Sequence, residues 1–74
     1  MNKESLKEEL ENKKIPKDLY DLSGGLPNEK FCLNKYNEIW EVYYSERGKK
    51  SGLKTFVLEC EACTYFLDLV VNNM

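Results

Sequence analysis

A chain of 74 residues that is 42% hydrophobic, with one Trp, five Tyr and three Phe, has material for one small core and little more; a chain this short buries only about 60% of its unfolded surface. A formal charge of −2 and a pI near 5.1 supply no overall basic field for nucleic acid or anionic lipid, and no apolar run approaches the ~18 residues of a membrane span. Histidine is absent, which removes Ser–His and Cys–His nucleophile pairs and histidine metal ligands. The opening run MNKESLKEELENKK lacks the apolar stretch of a secretion signal, and the cysteine count of three is odd. The expectation is a reduced, cytoplasmic protein, one domain over residues 1–74, with 1–14 helical and 15–74 forming the α+β core.

In chain order, residues 2–14 are mostly Lys, Glu and Asn, with Leu6 and Leu10 four apart. That spacing gives a thin apolar stripe on a helix. Ser5 and Glu8 suit a capping box, Glu9 and Lys13 suit a favourable pair at four residues, and Pro16 ends the helix. From Ile15 to Asn28 the chain is punctuated by Ile-Pro, Ser-Gly-Gly and Leu-Pro-Asn, with Tyr20 to Leu22 able to pair briefly as an edge strand. A meander follows: a strand over Phe31–Tyr36, a tight turn at Tyr36-Asn37-Glu38, a strand over Ile39–Glu46, a turn over Gly48–Gly52, and a third strand over Leu53–Val57. Short loops imply antiparallel pairing. Ala62, Tyr65, Phe66, Leu69 and Val70 repeat at three and four residues, which predicts a closing helix from Glu59 to Asn72 packed on one sheet face. Period-two alternation puts Trp40, Val42 and Tyr44 on the core face and Glu41, Tyr43 and Ser45 on an open face. The fold class is therefore α+β: an N-terminal helix, a three-stranded antiparallel meander and a C-terminal helix.

Three constellations carry possible chemistry. Cys60-Glu61-Ala62-Cys63 is a C-x-x-C at a helix start, where the helix dipole favours a thiolate. Flanking glutamates oppose that, no βαβ unit surrounds the motif, and three cysteines without histidine fall short of a zinc site. Small helix residues, with Cys63 at the core edge and Cys60 more exposed, are the simpler account. Arg47, Lys49, Lys50 and Lys54 gather four positive charges around one hairpin, fit either for an acidic partner surface or simply to keep an edge soluble. Glu46 falls on the core side at a strand end, positioned for turn amides or for Lys54. Leu67 and Val71 lie outside the main stripe of the last helix, to be covered by Leu6 and Leu10 or by a partner.

Tyr20 with Leu22, Gly24-Gly25, Cys32-Leu33, the run Trp40 to Gly48 with its W-x-V-Y-Y-x-E-R-G pattern, Ser51 to Lys54, Phe56, Glu59, Glu61, Ala62, Cys63 and Phe66 resemble a group of small bacterial proteins similar to immunity proteins, acidic chains that neutralise toxins. The resemblance runs from Ile15 onward and leaves out the N-terminal helix. It implies an interaction role. The chain departs from the pattern at Leu58, where a capping Ser, Thr or Asp is favoured.

The resulting expectation is a non-enzymatic protein-binding domain without cofactor or metal, of the kind that inhibits a bacterial toxin. Its partner contacts would be Tyr43, Arg47, Lys49 and Lys50, on the open face and the adjoining turn. Neither nucleic acid nor membrane is expected as a partner. The alternative is a homodimeric structural or regulatory module using the Leu67 and Val71 surface or an open sheet edge, and a thiol oxidoreductase stands behind both.

Overall fold

A computed structural model of the protein describes residues 1–73. The fold is α+β: helix α1 (Lys3–Asn12), a single 3-10 turn (Lys17–Leu19), strands β1 (Tyr20–Asp21), β2 (Lys30–Tyr36), β3 (Ile39–Glu46) and β4 (Lys49–Phe56), then helix α2 (Glu59–Asn72). The sheet order is β1-β2-β3-β4. The expected meander of β2, β3 and β4 is antiparallel, but a fourth strand joins it: β1 pairs parallel to β2, Tyr20 opposite Phe31 and Asp21 opposite Cys32. The sheet is thus mixed. Residues 22–29 carry the chain from the end of β1 back to the start of β2, which is why the added strand runs parallel. No helix among the described residues is long and apolar enough to cross a membrane.

The ends of α1 differ from the capping-box expectation. Asn2, not Ser5, caps the start: its side-chain oxygen accepts from the Ser5 amide at 2.8 Å, so Ser5 is already one turn inside. At the other end Lys14 takes a φ of 56°. Its amide donates to Glu11 at 3.0 Å, and the Ile15 amide donates to Leu10 at 3.1 Å. These are the paired bonds of a Schellman stop, with Ile15 folding back toward Leu10. The helix therefore ends on a left-handed residue before Pro16 is reached.

Two hairpin turns shape the sheet. Asn37 and Glu38 (φ 49° and 66°) join β2 to β3, and Arg47 and Gly48 (φ 51° and 75°) join β3 to β4. A two-residue turn with both φ positive matches the twist of the strands on either side. The five-residue loop expected over Gly48–Gly52 is thus a two-residue turn, and Lys49–Ser51 already belong to β4. Gly52 instead sits at a bulge. Val42 faces Lys54 but Tyr44 faces Ser51, which leaves one extra residue on β4, and Gly52 supplies the φ of 62° there.

The core lies between the sheet and the helices. Leu33 and Val42 of the sheet meet Ala62, Cys63, Phe66 and Val70 of α2 and Leu6 and Leu10 of α1, with Ile15 and Tyr20 closing one end. Each fully buried Leu, Val or Phe side chain contributes about 1.5–3 kcal/mol. Val42 is buried as the alternation requires, while its neighbours Trp40 and Tyr44 are half-buried at the margin. Leu6 and Leu10 of α1 pack on α2, and Leu67 joins this cluster, but Val71 stays 40% exposed, so the expected cover of the two positions is met only at Leu67. The Lys3 amide, one of the unpaired donors at the start of α1, donates to Glu59 Oε2 at 2.9 Å. That bond ties the first turns of the two helices together and sets an anion at both helix starts.

Helix α2 itself has no side-chain cap. Leu58 stands in the N-cap position with extended backbone and is 54% exposed. Leu58→Ser gives up little burial and supplies the missing acceptor. It should raise stability by about 1 kcal/mol, read as a higher urea midpoint with unchanged m-value.

Candidate functional site

The four residues expected to form one contact surface divide into two groups. Tyr43 is fully buried, which corrects its placement on an open face. The second face of the sheet is not open: the segment after β1 folds across it. The Tyr43 hydroxyl donates to the Gly25 carbonyl of that segment at 2.6 Å. Gly24 lies directly on Asn34, where a Cβ would come within 2.8 Å of Asn34 Cγ. Ser45, on the same face of β3, is buried as well. Burial pushes the Tyr43 phenol up to about 12, helped by the nearby Cys32, Glu41 and Asp21.

Lys50 also turns toward this covered face. Its Nζ lies 3.1 Å from Glu41 Oε1 and 4.8 Å from the centre of the Tyr43 ring, and Glu41 Oε1 accepts from Asn34 Nδ2 at 3.2 Å as well. The ammonium is thereby shared between an ion pair and a ring face, and it retains 36% side-chain exposure. Half of its role is structural. Glu46 is exposed and stands opposite Lys49 in the register, not opposite Lys54, which faces Val42.

Arg47 and Lys49 remain as fully outward charges. Arg47 occupies the first position of the β3–β4 turn, its amide 3.5 Å from Asn28 Oδ1. The pairing of Glu46 with Lys49, Tyr44 with Ser51 and Val42 with Lys54 puts Lys49, Ser51 and Lys54 on the same face as α2. Between β4 and α2 on that face runs a groove that sequence reasoning missed. One hollow of about 270 Å³ is lined by Phe31, Tyr44, Ser51, Lys54, Tyr65 and Leu69. A second, of about 430 Å³, shares Tyr65 and adds Phe56 and Cys60. Two aromatic pairs frame the groove, Phe31 with Tyr44 at 4.8 Å and Phe56 with Tyr65 at 5.3 Å between ring centres, and all four rings are half-buried. Helix α1 packs beside α2 toward the β1 end, so this side of the sheet keeps its aromatic lining in contact with solvent. Alternation in β3 and helical spacing in α2 signal each lining residue individually; their meeting beside an edge strand is a tertiary fact.

Strand β4 is the outer strand of the sheet, and every residue of it but Phe56 is exposed. Its outward amides and carbonyls form an open ladder edge.

The cysteines divide as the helical spacing implies: Cys60 is exposed, Cys63 and Cys32 are buried, and all three are free thiols. Burial pushes both Cys32 and Cys63 up to about 11, with Asp21 adding to the first and Glu59 to the second. A thiol so poised carries almost no thiolate at neutral pH, the opposite of an activated nucleophile. Among the described residues no three potential metal ligands come together. The linkage has a definite sign. The neutral thiols are favoured by the fold, so the unfolded chain releases their protons first, near its ordinary value of 9, and the folded protein only near 11. Their contribution to stability is complete below pH 9 and is lost as pH climbs to 11. Urea titrations across that window should show the decline, and Cys32→Ala with Cys63→Ala should lessen it, leaving above pH 10 the part that Tyr43 contributes; an equal slope in the double variant would assign the decline elsewhere.

No protein-family model, no curated protein and no solved structure matches the chain.

Proposed function

We propose that the protein is a non-enzymatic protein-binding domain, and that it is an immunity-type inhibitor which occludes a bacterial toxin. The observation that carries the binding role is the β4 side of the molecule. There Lys54 lines a groove of half-buried aromatics, and exposed Arg47 and Lys49 lie in the adjoining turn and at the start of the same strand, on the sheet margin that α1 does not flank. Aromatic side chains and Arg at a surface, with apolar lining inside and charge at the rim, make the composition of a protein interface. The resemblance of the W-x-V-Y-Y-x-E-R-G run to immunity-type proteins supports the choice of a toxin as partner. Charge at the rim would steer the encounter and set its salt dependence.

Because Lys50 is committed to Glu41 and Tyr43 is buried, both leave the expected contact set; Arg47 and Lys49 stay in it, and Lys54, which lines the hollow, joins them. The test is co-expression with the products of the genes that flank its own, where a toxin domain is the expected binder. The Arg47→Ala, Lys49→Ala double variant should keep its fold and lose at least tenfold in association rate at low salt. Full retention of binding in that variant, or no binding by the unaltered protein, refutes the proposal as placed.

A further inference from the structure

Resting on the protein-binding role just proposed, we infer that β4 receives an extended, acidic segment of the partner as a fifth strand of the sheet, with an apolar side chain of that segment seated in the hollow between β4 and α2. Three features of the molecule converge on this.

The first is the ladder. β4 has eight residues, is paired on one side only, and is exposed from Lys49 to Thr55. The opposite edge, β1, has two residues. A strand needs several successive main-chain bonds to hold an added neighbour, and β4 is the edge that offers them.

The second is the hollow. Strand addition gains specificity when alternate side chains of the new strand fall into pockets along the sheet face. The 270 Å³ hollow is bounded on its outer side by Ser51, Gly52 and Lys54 of β4 itself and floored by Phe31, Tyr44, Tyr65 and Leu69. A side chain projecting from a strand laid against β4 on the α2 face would pass over that rim. The rim is low at Gly52, which has no side chain, and the bulge there bends the edge around the opening.

The third is charge. The sequence of β4, Lys-Lys-Ser-Gly-Leu-Lys-Thr-Phe, contains three lysines and no acid, and Arg47 adds a fourth positive charge in the turn. Lys50 is engaged by Glu41, while Lys49 and Lys54 face the incoming strand on the side of the hollow. Opposite charges across a strand pair are favourable and like charges directly opposed are not. Two copies of this chain joined through β4 would bring six lysines into one seam without an acid among them. An acidic strand is the complement, and a second copy is not.

The test uses the full-length protein labelled for amide NMR. The probe is a capped octapeptide in which glutamate and threonine alternate around a central phenylalanine. Saturable shifts should appear in the amides of Lys49–Phe56 and at Tyr65 and Leu69, and should weaken at least fivefold in Lys49→Glu, Lys54→Glu. Two N-methylated peptides, each blocking one alternate set of amides, decide the geometry: only the peptide whose methyls face away from β4 should still bind. Absence of shifts at β4, equal binding by both methylated peptides, or dimerisation of the protein through β4 in sedimentation would each overturn strand addition. If the peptide fails while Arg47→Ala, Lys49→Ala still weakens binding to the toxin, the mode of contact is wrong and the binding role stands. If neither responds, both fall.

Discussion

Tyr43→Ala is expected to lower the unfolding free energy by about 3–5 kcal/mol, as other buried aromatic truncations do. A domain of this length holds roughly 4–11 kcal/mol in total, so the loss is a large fraction of the whole and unfolds the variant outright if the parent lies at the lower end. The size follows from position. Tyr43 is fully buried under residues 22–29 and joined to the Gly25 carbonyl at 2.6 Å, with the Lys50 ammonium over its ring. Tyr43→Phe separates the two parts of the effect. It keeps the ring and loses the hydrogen bond, leaving the Gly25 carbonyl without its donor, at a cost of about 1–3 kcal/mol. Urea unfolding of both variants checks the pair. A surface contact residue, as the alternation alone placed it, would change stability by no more than about 0.5 kcal/mol, and a value that small for Tyr43→Ala would return the residue to the surface.

Gly24→Ala should cost about 2–5 kcal/mol and Gly25→Ala about 1–2 kcal/mol. Both glycines have left-handed φ, 80° and 83°, and a Cβ in that region costs about 1–2 kcal/mol. At Gly25 nothing else lies within 4 Å of the new atom. At Gly24 the new Cβ meets the Asn34 side chain along its length, Cγ at 2.8 Å and Cβ at 3.0 Å. Relief cannot come from the tip of a flexible chain; Asn34 must swing away, giving up its bond to Glu41, or the segment must lift off the sheet. Overpacking of that kind adds about 1–3 kcal/mol. Equal losses in the two variants would mean that the segment does not lie on Asn34. Lifting it would also expose Tyr43 and Cys32, so Gly24→Ala should make the Cys32 thiol reactive in the folded protein while Cys63 stays protected.

Much of the architecture was legible because it is local. Leu6 and Leu10 at helical spacing, the Ala62 to Val70 stripe and the β-rich run from Ile39 to Glu46 each announce an element and the side it buries. The bounds of β3 and α2 follow from those patterns. The β3–β4 turn was not legible. Arg-Gly lacks the Asn-Gly signature of a two-residue turn, while Gly48 and Gly52 bracket a plausible five-residue loop. Reading the loop long removed Lys49–Ser51 from β4, and with them half of the exposed edge and one wall of the groove. The two glycines serve different purposes: Gly48 completes the turn and Gly52 makes the bulge.

Sequence alone established the helices, the three antiparallel strands, the buried stripe of α2 and which side chains of β3 share a face, because each depends on repeats of two or of three to four residues and on near neighbours. Only the tertiary structure decided which faces meet solvent. Period-two alternation assigns Tyr43 to the side away from α2 but is silent on what lies over that side. The answer came from β1 pairing parallel to β2 and from Gly24 resting on Asn34, contacts between residues ten or more apart. The same holds for the candidate site: Lys54 beside Tyr44, Tyr65 and Leu69 is a juxtaposition of two strands and a helix, and no spacing along the chain encodes it.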